Sequence, residues 1–202
     1  MKLVLVLIVV SLISGCASSP PRKINNICSI FSERPHWYKA AKKSEKRWGS
    51  SIPLMMAFMH QESRFVSKAK PPRDKIFGFI PGPRKSSAYG YSQAQDGTWK
   101  DYKKGTGNWG ADRDDFQDAV DFIGWYNKQT KKRNGVSLSN AYGLYLAYHE
   151  GHGGFKKKTY NKKAWLKKVA KKVAKQRSTH ASQLKSCEKR YSGSSGFSLW
   201  PF

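Results

Sequence analysis

Met59-His60-Gln61-Glu62-Ser63-Arg64-Phe65 sets one glutamate at the end of an apolar run that begins near Ile52. From Ile52 to Phe65 the chain is apolar on nearly every side, which predicts a buried central helix rather than an amphipathic surface helix. Ser51 stands ready as its N-cap, and Pro53 is tolerated in a first turn. On such a helix Glu62 shares its face with Phe58, Met59, Phe65 and Val66, at offsets of three and four. Neighbours of that kind disfavour the charged carboxylate and raise its pKa, the condition a general acid needs. A core-edge glutamate paired with Arg64 or a lysine is the plainer alternative. His60 points off the Glu62 face and reads as a packing or surface residue.

Helical patterns extend to either side of this run. Trp37, Ala40, Ala41, Ser44 and Trp48 fall on one face of a helix from about Pro35 to Trp48, with Gly49 as its stop. The stretch from Lys68 to Ser87 contains Pro71, Pro72, Pro81 and Pro83 and cannot be a regular helix. Its centre, Ile76-Phe77-Gly78-Phe79-Ile80, reads as a short strand or apolar flap in a long Pro/Gly-rich loop near the cleft; a surface insertion is the alternative. Further helices are predicted over Asp96–Tyr102 and about Asp114–Arg133, the latter with Phe116, Val120, Ile123 and Tyr126 on one stripe. Another, Asn140–Tyr148, is capped by Ser139 and broken at Gly151–Gly154. The last runs from about Lys162 to Leu184, with Trp165, Leu166, Val169 and Val173 inward. The sum is a mainly α chain without an internal repeat. Trp99, Trp109 and Trp125 suit either core positions or sugar-stacking faces.

Two more motifs lie downstream of Glu62-Ser63: Gly90-Tyr91-Ser92-Gln93 and Ala147-Tyr148-His149-Glu150-Gly151. A glycine lets backbone approach a ligand closely, and glutamine offers both donors and acceptors to sugar substituents. In order and rough spacing the three elements resemble the lytic transglycosylase domain related to goose-type lysozyme, which cuts the glycan of the bacterial cell wall. The resemblance spans about Trp37 to Lys175 and implies a lysozyme-like helical fold. It assigns Glu62 as catalytic and Ser63 as the residue orienting the acid or an acetamido group. Gly90, Tyr91 and Gln93 fall in the family's Gly-Leu-Met-Gln turn, with Tyr91 and Ser92 replacing leucine and methionine. Tyr148 matches a tyrosine that bonds near the acid. His149 stands in place of asparagine, and Glu150 adds a carboxylate at a variable position.

The resemblance further implies chemistry without a second carboxylate. Glu62 protonates the leaving oxygen and then draws a proton from the muramic acid C6 hydroxyl, which closes a 1,6-anhydro ring with help from the substrate's acetamido group. No cofactor or metal is implied. Two other readings stay open: a hydrolase in which Glu150 positions a water, and a catalytically silent wall-binding lipoprotein. The first predicts reducing ends in the products, the second no products.

The ends of the chain speak to location. Leu3 to Ile13 is a short apolar run after Lys2, too short to span a bilayer, and it ends in Ile13-Ser14-Gly15-Cys16, which resembles a bacterial lipobox. Residues 1–15 are therefore expected to be a signal and Cys16 the lipidation site, anchoring the protein in the periplasm, to the outer membrane. Residues 16–27 read as a flexible tether, 28–190 as the folded domain and 191–202 as a mobile tail. With Cys16 lipidated, Cys28 and Cys187 remain, and an oxidising compartment would let them pair. The net charge is +25, of which only Lys2 lies in the signal. Such a field attracts polyanions in general. Export turns the expectation from nucleic acid towards peptidoglycan strands, engaged by a monomer held at the membrane by its lipid. The lysine-rich stretch from Lys156 to Arg177 is a solvated face or an attraction for wall polymer or lipid head groups.

Overall fold

Eight helices and one hairpin make up residues 19–192, the part of the chain that the computed structural model describes. The chain is mainly α, as its periodicity demands. Helix α1 covers Ile27–Glu33, α2 Pro35–Trp48 and α3 Ile52–Ser63. A hairpin of β1 (Arg73–Ile76) and β2 (Ile80–Arg84) follows, antiparallel, with Ile76 opposite Ile80. Then come α4 (Asp96–Thr106), α5 (Phe116–Asn134) and α6 (Ala141–Lys156). A 3-10 turn at Thr159–Lys162 leads into α7 (Ala164–Cys187) and the short α8 (Lys189–Ser192).

Helix α3 is the axis of the core. Ile52 and Leu54 through Met59 are all fully or almost fully buried, and the helix packs against α7, α5 and α2. Helix α2 lies along α5, where Trp37 stacks on Phe116 at 4.0 Å between ring centroids. Trp99, Tyr102, Phe122 and Trp125 form an aromatic cluster between α4 and α5. Trp99 and Trp125 are thus core residues, whereas Trp109 is exposed. His60 is also packed: its Nε2 lies 2.8 Å from Asn25 Oδ1, and its ring meets His180 edge-on.

Several boundaries differ from the sequence expectation, each for a local reason. Helix α3 stops at Ser63 because Arg64 and Phe65 both take left-handed φ angles of 52° and 63°. Phe65 therefore leaves the Glu62 face and packs on Trp37 and His60 instead. Asn140, not Ser139, caps α6, by accepting from the Gly143 N–H. That helix is not ended by its glycines. A single residue, Gly151 at φ 72°, kinks it, and the helix resumes to Lys156. The inward stripe of α7 is Leu166, Ala170 and Val173, while Trp165 is 56 % exposed. The centre of the proline-rich stretch, expected as a short strand or apolar flap, is the turn of a two-stranded hairpin, with the strands on either side of residues 77–79.

The N-terminal part of the domain holds more structure than its composition announces. Helix α1 is capped by Asn26, whose side chain accepts from the Ser29 N–H. A disulfide joins Cys28 to Cys187, tying α1 to the end of α7 across 159 residues. Tyr191 donates to the Cys28 carbonyl at 2.7 Å and packs on Phe31 and Tyr38, so it belongs to the fold. Cys16, the rest of the signal and residues 193–202 lie outside the described residues. Closing so long a loop restricts the unfolded chain, in the entropy model by about 3–5 kcal/mol. We expect the Cys28→Ser, Cys187→Ser variant to lose about that much in urea unfolding. An unchanged midpoint would show that α1 is held by its packing alone.

Candidate active site

Glu62 stands in the last turn of α3, two residues before the backbone turns left-handed at Arg64. The residue keeps some contact with solvent, but its carboxyl group is sunk among aromatic rings. Phe58, one turn earlier on α3, meets Tyr145 and Tyr148 edge-on at 5.3 and 5.2 Å. Tyr145 and Tyr148 sit on successive positions of one face of α6, their rings near parallel. Tyr145 donates from its hydroxyl to Glu62 Oε1 at 2.9 Å. Loss of hydration pushes the Glu62 pKa up to about 7, and the Tyr145 bond offsets only part of that rise. This is a carboxyl poised to be protonated near neutrality.

The second motif forms a tight turn beside α6. Tyr148 donates to the Ser92 carbonyl at 2.6 Å and so bolts the turn to the helix that holds Glu62's partner. The two tyrosines have divided their tasks. Tyr145, which the motif comparison leaves unassigned, holds the acid, and Tyr148 holds the turn. Gln93 has a φ of 51°, and its side-chain amide donates to the Ala69 and Gly90 carbonyls, both at 2.9 Å. Tyr91 is buried and packs on Trp37 and Phe116. Gly90, at φ 76°, leaves no room for a side chain: a Cβ there would lie 2.0 Å from the Arg113 carbonyl oxygen. Its glycine is demanded by backbone packing against the loop before α5. Tyr91 N–H donates to that same carbonyl at 3.1 Å.

Ser63 is buried, and its hydroxyl closes the end of α3. It donates to the Met59 carbonyl and accepts from the Phe65 N–H, both at 3.2 Å. Neither bond reaches Glu62. The sequence carries no signal for such a cap, because Arg64 and Phe65 are not the residues expected at positive φ.

His149 and Glu150 continue α6 towards the kink. Gln93, Thr98, Tyr126, Tyr148, His149, Glu150 and Gly151 line a cleft of about 170 Å³; Glu62 is not among its lining residues. Burial would raise the Glu150 pKa. Hydrogen bonds from Lys163, Thr159 and His149 outweigh it and bring the value down to about 2. Lys163 Nζ lies 2.7 Å from Glu150 Oε1 and His149 Nδ1 3.1 Å. Thr159 donates to the other carboxylate oxygen. The His149 ring meets the exposed Trp165 edge-on at 5.1 Å. Past the kink, His152 stacks on Tyr126 and its Nε2 bonds Thr130 at 3.0 Å, which pins the resumed helix to α5.

The structure thus brings Glu62, the Gly90–Gln93 turn and Tyr148 into one neighbourhood, with His149 and Glu150 on its cleft wall. One desolvated acid and one salt-bridged carboxylate on the cleft wall are unequal in chemistry: near neutrality the first can donate a proton, while the second is ionised. A family model described as the transglycosylase SLT domain matches residues 4–187. No curated protein and no solved structure matches the chain. By the family match over most of its length, the chain belongs to the SLT-domain lytic transglycosylases, enzymes that cleave glycosidic bonds in peptidoglycan.

Proposed function

We propose that this enzyme cleaves the β-1,4 bond between N-acetylmuramic acid and N-acetylglucosamine, with Glu62 as its single acid and base and a 1,6-anhydro end as its product. The observation that carries this reading is the Glu62 carboxyl, desolvated, hydrogen-bonded by Tyr145 and brought to a pKa of about 7. Protonated Glu62 gives its proton to the glycosidic oxygen as the bond from the anomeric carbon breaks. The substrate's acetamido oxygen supports the positive anomeric carbon. The Glu62 carboxylate then takes the proton of the C6 hydroxyl, whose oxygen closes onto the anomeric carbon. Acid and base are regenerated in one cycle, and no water is consumed.

Glu150 does not suit the water-positioning role of a hydrolase. Both of its oxygens are occupied by Lys163, His149 and Thr159, so it carries little free basicity for a water. Its geometry is that of a brace between α6 and the turn before α7. Gln93 and Tyr148, which line the cleft, form the wall against which acetamido groups would lie, while Gly90 and Tyr91 are buried behind it; the exposed Trp165 offers a ring face beside His149.

We also infer that the enzyme works outside the cytoplasm, anchored by lipid on Cys16 in the outer membrane, as a monomer. The lipobox-like Ile13-Ser14-Gly15-Cys16 supports the anchor, and the Cys28–Cys187 bridge supports an oxidising compartment. Mass spectrometry of soluble products from purified sacculi tests the reaction. Anhydro-muramic ends are expected; reducing ends, one water heavier, would transfer the reaction to a hydrolase. In the same assay Glu150→Gln should keep turnover within about tenfold of the parent and leave the product unchanged. A loss of a thousandfold would restore Glu150 to the chemistry.

A further inference from the structure

The β1–β2 hairpin carries an apolar tip into solvent. Phe77 is 85 % exposed and Phe79 76 %, with Ile76 and Ile80 each a little under half exposed beside them. These are four of the seven large apolar side chains that stand exposed among the described residues. Scattered single exposures are ordinary; four adjacent ones at the end of a projecting ribbon are not. The turn itself adds a second observation. Phe77 and Gly78 have φ angles of 51° and 80°, and the Phe79 N–H returns to the Ile76 carbonyl. Both central residues of such a tight hairpin turn sit at positive φ, where asparagine, aspartate or glycine is favoured. A phenylalanine there is a conformational cost with no packing to offset it.

Below the tip lies a basic collar. Between residues 68 and 85 stand Lys68, Lys70, Arg73, Lys75, Arg84 and Lys85 against a single acid, Asp74. Lys85 neutralises that acid at 3.1 Å, and the strands between are exposed along almost their whole length. An apolar end ringed by cations matches one kind of surface, an anionic bilayer: rings enter the boundary between head groups and acyl chains, and the collar meets lipid phosphates. Among the described residues no helix is long and apolar enough to cross a membrane, so contact of this kind is interfacial.

We propose that the hairpin is a membrane-docking device, inserting Phe77 and Phe79 into the interface of an anionic bilayer while the collar binds its head groups. The device acts independently of lipid on Cys16 and shares no residue with the cleft lined by Gln93 and Tyr148. It would hold the body of the enzyme against the membrane by a contact that a lipid on Cys16 does not supply.

The test uses the unacylated chain from Ala17 to Phe202, which retains every residue of the hydrophobic core, all of them between Ile27 and Cys187. Its partition is measured by co-sedimentation with vesicles of phosphatidylcholine alone and with one quarter phosphatidylglycerol, at about 0.15 M salt. The parent should bind the anionic vesicles strongly and the neutral ones weakly. The Phe77→Ser, Phe79→Ser variant keeps every charge and should bind the anionic vesicles about tenfold or more weakly. Exposed as both rings are, its circular dichroism and melting temperature should match the parent's. Equal binding by parent and variant would overturn the proposal, since the field of the whole chain would then account for it. A parent that self-associates through the tip, with the variant monomeric and vesicle binding unaltered, would overturn it in favour of a second copy as occupant.

Discussion

Glu62→Gln should abolish glycan cleavage, by about 10²–10⁴-fold or more, while leaving the fold and binding to sacculi in place. The amide keeps the shape of the carboxyl and can still accept from Tyr145, so the hydrogen bond at 2.9 Å has a substitute. What it lacks is a transferable proton and, after the first step, a base for the C6 hydroxyl. Both halves of the cycle fail together, and no other acid in the site can stand in. Glu150 is held ionised by Lys163, His149 and Thr159. Unchanged turnover in this variant would remove the single-acid mechanism altogether.

The same residue sets a pH dependence of the same sign for activity and for stability. Cleavage starts from protonated Glu62, so kcat/KM should fall as pH rises through about 7. Stability follows the same proton. Because the folded-state pKa is raised, the contribution of Glu62 to stability is complete below its ordinary carboxylate pKa and is lost as pH rises through about 7. Glu62→Gln has no such loss. The variant should therefore match the parent at low pH and exceed it at pH 8, by on the order of 1–3 kcal/mol. An inactive enzyme that is more stable in alkali is the signature of a carboxyl kept desolvated for chemistry. A parent and variant of equal stability at every pH would mean that the Glu62 carboxyl is hydrated in solution.

How far the sequence reached depends on what kind of force decided each feature. Helix α3 was legible because a run apolar on all sides has only one place to go, and Glu62 was legible because it interrupts that run. The Cys28–Cys187 pair followed from counting. The choice between Tyr145 and Tyr148 was not legible. Three residues apart, they share a face of α6, and which hydroxyl reaches Glu62 depends on how α6 is offset along α3, a quantity set by tertiary packing. Trp165 misled for a related reason. It keeps period with Leu166 and Val169, yet the buried stripe is Leu166, Ala170 and Val173. A small alanine can occupy the closest approach to a neighbour while a large tryptophan is left outside. Helix α1 is too short to show a period, and it is secured by a disulfide and by Ile27 N–H donating to the Gln183 side chain, from residues far along the chain. The glycines of α6 promised a break and delivered a kink, because only Gly151 takes a positive φ and the residues beyond it find partners on α5.

Gly90→Ala should be the most damaging single methyl group in the site. Two costs act at that position, and they can be separated. The first is the left-handed backbone at φ 76°, which costs an alanine about 1 kcal/mol. Gly107, after α4, has a similar φ of 72° and open space around it, so Gly107→Ala isolates this term. The second is collision: the new Cβ would lie 2.0 Å from the Arg113 oxygen and 2.5 Å from its carbonyl carbon, and both atoms are backbone. A flexible side chain could swing aside, but here the turn or the loop before α5 has to move. That movement breaks the bond from Tyr91 N–H to Arg113 at 3.1 Å and strains the one from Gly90 N–H to Ala69 at 2.9 Å. We expect about 3–5 kcal/mol of destabilisation, against about 1 kcal/mol for Gly107→Ala, read from urea unfolding of both variants. Turnover should fall with it, even at temperatures where the variant remains folded. Ser92 is the next residue but one, and its carbonyl is the acceptor for Tyr148 at 2.6 Å. A displaced turn releases Tyr148, the ring that packs with Phe58 and Tyr145 around the Glu62 carboxyl. Were Gly90→Ala no worse than Gly107→Ala in both stability and turnover, the turn would be a pliable loop, and the aromatic enclosure of Glu62 would have to be held by α6 alone.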